Sequence, residues 1–83
     1  MANAQVTVTT TPTLLVAADP HDQTAIIHVE SGAIFVGNAS VSTSNGFKLD
    51  NNNKITFPIG AYEALYAVTN TGTSTAFIYS VVN

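Results

Sequence analysis

The stretch IFVGNASVSTSNGFKL, Ile34 to Leu49, decides how the chain is read. An apolar run ends at Gly37, Ser and Thr fill a polar middle, and Asn45-Gly46 offers residues that tolerate the positive φ of a tight reversal before a short run to Leu49. The stretch predicts two strands joined by a loop, with further strands packed around them.

Those further strands follow from period-two alternation on both sides of the stretch. Before it, Gln5 to Thr10 alternates Val6 and Val8 with threonines. Pro12 interrupts, and Thr13 to Ala17 resumes with Leu14 and Val16 on one face and Leu15 on the other. Asp19-Pro20-His21-Asp22 is a turn, because the residue before proline avoids the helical region and Asp bonds back to nearby backbone. Thr24 to Glu30 sets Ala25, Ile27 and Val29 against Ile26, His28 and Glu30, and the short Ser31-Gly32 connection predicts a hairpin with Ala33 to Gly37.

Beyond the stretch, Asp50-Asn51-Asn52-Asn53 is a turn and Lys54 to Phe57 a strand that Pro58 and Gly60 break. Ala61 to Ala64 has the composition of one helical turn, too short to stand unaided. Leu65 to Thr69 and Ala76 to Val82 close the series, the last with Phe77, Tyr79 and Val81 alternating against Ile78, Ser80 and Val82. About seven to eight short strands in one domain, residues 1–83 with 1–4 as an N-terminal tail, predict an all-β fold. Its expected form is a small antiparallel β-sandwich or barrel of jelly-roll type.

Composition narrows the function classes. A chain of 83 residues without Cys has neither disulfides nor thiolate metal sites, and a domain so small buries only about 60% of its unfolded surface, which favours oligomerisation. Charged residues make up 8% of the chain, against about 25% in average proteins. Thr, Asn and Ser together supply 26 residues, so the surface is built from neutral polar groups. With two basic residues and a net charge of −3, the chain has little to neutralise phosphates, and no nucleic-acid or anionic-membrane partner is expected. No apolar run approaches the roughly 18 residues of a membrane helix, and MANAQVTVTT lacks the basic start and apolar core of a signal peptide, so synthesis as a soluble cytoplasmic protein is expected. Without that signal, Asn38-Ala39-Ser40 is not expected to be glycosylated.

No set of residues carries chemistry. His21 between Asp19 and Asp22 is one short loop, whereas a metal site needs three or four convergent ligands. His28 sits between Ile27 and Val29 and is expected at a sheet face rather than as a general base. No Ser stands in a G-x-S-x-G elbow, and no Gly-rich stretch has phosphate-loop spacing. Catalytic residues, cofactors and metals are all expected to be absent. Tyr62, Tyr66 and Tyr79 are of a type that stacks on sugars, but they are expected in core and interface positions.

The strands do carry apolar residues on what should be their wet faces: Leu15, Ile26, Phe35, Val68, Ile78 and Val82. Strands buried on both sides or scattered surface apolars are one explanation. A subunit or capsid interface is the other, and it is favoured because so few charges protect exposed sheet from pairing. On that reading Phe35→Asp should weaken an oligomer.

VTVTTTPTLLVAADP, TAIIHVESGAIFVGNASVSTSNGFKL and ALYAVTNTGTSTAFIYSVV together resemble a small β-rich virion protein of tailed bacteriophages, similar to capsid decoration (cement) proteins of cyanophages. The resemblance spans nearly the whole chain, through Val36-Gly37, Val41, Ser44-Asn45-Gly46-Phe47, Leu49 and Leu65 to Val68. The chain departs from it at His21-Asp22-Gln23, Glu30 and Asn51-Asn52-Asn53, all at turns or strand ends. It implies a non-enzymatic structural protein on the outer capsid surface of the virion, bound to the major capsid protein. A homotrimer would suit local three-fold symmetry there. A receptor- or carbohydrate-binding module of a tail or head fibre is the second expectation, and a small hydrolase or metal protein the third.

Overall fold

The expected strands form two sheets whose order follows from alternating crossings. A computed structural model describes residues 2–30 and 32–83. Its eight strands are β1 (Ala2–Val8), β2 (Thr13–Val16), β3 (Gln23–Val29), β4 (Ile34–Gly37), β5 (Phe47–Leu49), β6 (Lys54–Ile59), β7 (Leu65–Val68) and β8 (Ser74–Val82). One sheet has the order β1-β8-β3-β6 and the other β2-β7-β4-β5. All pairings are antiparallel. The chain changes sheet at every connection except β4 to β5, an arrangement that makes the all-β sandwich a jelly roll. Residues 2–4, expected as tail, belong to β1.

The opening stretch is therefore the single sequential hairpin among the described residues, and its loop works differently from the expected tight turn. Neither Asn45 nor Gly46 has positive φ. The Asn45 side-chain carbonyl instead accepts from the Ser42 N–H at 2.8 Å, and the Gly46 N–H donates to the Ser42 carbonyl at 2.9 Å, a helical-type reversal. Glycine is required at 46 for space: a Cβ there would lie 2.7 Å from the Phe35 Cβ and 2.8 Å from a Val41 methyl.

The predicted hairpin between β3 and β4 does not form. β3 already has β8 on one side and β6 on the other, leaving no free edge for β4. Gly32, with φ of 73°, lies where the chain crosses to the second sheet; Ser31 is outside the described residues. Two smaller expectations also change. β6 continues through Pro58, which an edge strand tolerates because the missing N–H costs no ladder bond on the open side. Ala61 to Ala64 is not a helical turn, since Tyr62 has φ of 64°.

Burial sorts each strand into inner and outer faces. Val8, Ala25, Ile27, Val29, Ile34, Ala67 and Ala76 are fully buried between the sheets, joined by Leu15, Val16, Val36, Leu49, Ile59 and Ile78. At the β5 and β6 edges Phe47 and Phe57 meet edge to face with centroids 5.8 Å apart, closing that side of the sandwich. Few polar side chains are buried with this core, and each has a partner. Gln23 Nε2 donates to the Ala17 carbonyl at 2.9 Å. The Thr69 hydroxyl donates to the Ala33 carbonyl at 2.9 Å and lies 3.3 Å from the Ser74 hydroxyl.

Candidate functional site

The six residues expected at an interface separate into three environments. Leu15 and Ile78 are core residues, and Val68 is 3% exposed. Leu15 turns inward because the register shifts between Leu14 and Val16, a bulge that puts Leu15 and Val16 inside together and leaves Leu14 out at 45% exposure. Ile78 is inside because β8 has the opposite parity to that expected: Ser74, Ala76 and Ile78 point inward, while Phe77 and Tyr79 point out.

Val68 and Phe35 are cross-strand partners on the outer face of the second sheet. The 38–46 loop folds back over Phe35 there, bringing buried Val41 against the same surface as Gly46. This part of the second apolar face is covered by the chain itself. Phe35→Asp accordingly strikes the folded monomer: a loss of about 2 kcal/mol or more is expected, read as a lower urea midpoint under conditions where the protein is monomeric.

Ile26 and Val82 remain exposed but not on one face. Val82 has the inward parity of Ile78 and pairs with Gln23 at the open end of the sandwich, whereas Ile26 is on the outer face of the first sheet, where the reversed parity of β8 adds aromatic neighbours. Register puts Gln5, Phe77, His28 and Lys54 in one row across the first sheet, and Asn3, Tyr79, Ile26 and Thr56 in the next. Phe77 and His28 stack with ring centroids 6.3 Å apart and an interplanar angle of 24°. Phe77, Tyr79 and Ile26 are 37%, 42% and 37% exposed. Together with Asn3 and Gln5 they line a shallow groove of about 530 Å³. Lys54, at the β6 edge, is the one acidic or basic residue (Asp, Glu, Lys or Arg) in these two rows. Alternation along β8 could have found the set, but it does not say which alternate residues point outward.

The Asp19 to Asp22 segment, read from sequence as a simple turn, ties one end of the sandwich together. The Asp19 carbonyl accepts from the Tyr62 N–H at 2.7 Å, and the Asp22 carbonyl from the Asn83 N–H at 2.8 Å. The Asp22 carboxylate accepts from the Ala61 N–H at 3.0 Å. These bonds, with the Glu63 carboxylate accepting from the Gly60 N–H at 2.9 Å, hold Tyr62 in its left-handed conformation with its ring 77% exposed. The Asp19 carboxylate accepts from the His21 N–H and lies within bonding distance of its ring, and these contacts hold its pKa below the usual aspartate value. The stabilisation is present above the ordinary aspartate range and is lost as pH falls through the lowered value.

No group of three or more His, Asp or Glu side chains among the described residues is arranged to hold a metal ion. The exposed features that stand out are the charge-poor aromatic sheet face and the hydrogen-bonded turn that presents Tyr62. The chain matches no protein-family model, no curated protein and no solved structure.

Proposed function

We propose that this is a structural virion protein of the decoration or cement type, which adheres through the outer face of its β1-β8-β3-β6 sheet to the assembled capsid of a tailed phage and stabilises it. The observation that carries the reading is the cluster of Phe77 and His28 in one row and Tyr79 and Ile26 in the next, on an accessible sheet face that is almost free of charge. Aromatic residues combine a large apolar area with low conformational entropy, and they dominate the energetics of protein contacts. The resemblance of nearly the whole sequence to small phage virion proteins suggests the partner, the major capsid protein, and the location on the virion surface. The jelly roll is compatible with this role, but folds of this kind serve many others.

The test uses capsids assembled without this protein, with melting followed as it is added. A ligand that binds the assembled shell but not unfolded subunits stabilises by mass action, about 2.7 kcal/mol at one hundred times its Kd. Because the adhesive face is nearly uncharged, the gain should survive moderate salt. Failure to bind, or binding without a rise in melting temperature, would overturn the cement role. A second reading, a glycan-binding module of a tail or head fibre, draws on the amides of Asn3 and Gln5 beside the aromatic rings. A glycan array run on the same protein separates the two.

A further inference from the structure

A sandwich of two open sheets has four edge strands, and here three of them carry features that discourage further pairing. β6 contains Lys54 and Pro58. β5 is three residues long with Lys48 at its centre. β2 has four residues, a register shift between Leu14 and Val16, and Pro12 just before it. Each is a known means of blocking edge-to-edge association.

β1 has none of them. It runs for seven residues, Ala2–Val8, in unbroken register with β8 from Ala2↔Ser80 to Val8↔Ser74. It holds no charge, no proline and no glycine, and among the described residues no strand lies on its other side. Asn3, Ala4, Gln5 and Thr7 are exposed. The backbone N–H and C=O groups directed away from β8 are a template for another strand.

We infer that the strand filling this edge is β1 of a second copy of the chain, paired antiparallel about a two-fold axis to make one continuous eight-stranded sheet. Self-pairing requires that a strand be compatible with its own reverse. With the axis at Gln5, Asn3 faces Thr7 of the partner copy on the outer face and Ala4 faces Val6 on the inner one, so polar meets polar and apolar meets apolar. A shift of two residues preserves this match, and no register sets like charges together. The three-fold assembly expected from size and resemblance needs a heterologous contact, for which β1 offers no distinct complement. The pairing does not depend on shell binding, although a joined sheet would carry two copies of the aromatic face.

Sedimentation of the intact protein from low micromolar to millimolar concentration should show a monomer-dimer equilibrium. Over the same range the β1 amides facing away from β8 should gain protection from hydrogen exchange. Lysine at Asn3, Gln5 and Thr7 together should weaken the dimer about tenfold or more through repulsion across the paired strands, and glutamate at the same three positions should do the same. An equimolar mixture of the two variants should recover a heterodimer. Monomer at every concentration, a trimer with unprotected β1 amides, or a lysine variant that dimerises as the parent does would each overturn the inference. If the variants fail to fold, amide protection in the unmodified chain decides alone.

Discussion

Ile27→Ala should remove a large part of the protein's stability, whereas Ile26→Ala, one residue away, should remove little. Ile27 is fully buried at the centre of the first sheet, with Ile55 beside it on β6 and Ile78 on β8. Truncating such a side chain costs about 2–5 kcal/mol from lost burial and the cavity left behind. A domain of 83 residues has about 4–12 kcal/mol in total, so the variant stands close to unfolding at room temperature. Ile26 is on the opposite face at 37% exposure, and its truncation should cost under about 1 kcal/mol. Urea denaturation measures both, and the slope should be unchanged while the midpoint falls. Equal losses at the two positions would contradict the assignment of the faces.

Shell adhesion should collapse when Phe77 and Tyr79 are both replaced by alanine. Central aromatic residues of a contact commonly contribute 2 kcal/mol or more on truncation, which corresponds to a loss of about 30-fold or more in affinity. The two rings lie outside the core, and their removal deletes cross-strand contacts worth about 1–2 kcal/mol in sum, so the variant should remain folded. Phe47→Ala is the control: that ring is 54% exposed but lies at the β5 edge against Phe57, away from the proposed face. Binding of each variant to undecorated capsids, measured beside its circular dichroism spectrum, tests the assignment. Adhesion that survives the double substitution, or is lost equally with Phe47→Ala, would move the contact elsewhere.

What separates legible from hidden here is the range of the interaction concerned. Val6 and Val8, Ile27 and Val29, and Ile34 and Val36 alternate with less buried residues, and each strand appears within a few residues of its expected place because side-chain direction in a strand is a local property. The Asp50 to Asn53 turn was legible for the same reason: Asn52 takes φ of 65°, which asparagine tolerates better than most residues. β8 shows where local evidence stops. Ser74, Ala76 and Ile78 carry less apolar bulk than Thr75, Phe77 and Tyr79, yet they face the core. Alternation defines two sets without saying which is inside, and that choice depends on the opposing sheet.

The sequence by itself determined that this is an all-β chain of short strands with a charge-poor surface, because composition and period-two patterning act residue by residue. Only the tertiary structure decided the order of the two sheets, the burial of Leu15, Val68 and Ile78, and the exposure of Phe77 and Tyr79. Those outcomes rest on pairings between strands far apart in the chain, such as β1 with β8. They also rest on one bulge in β2 and on a loop that folds back over Phe35, whose energies appear only when the distant partners meet.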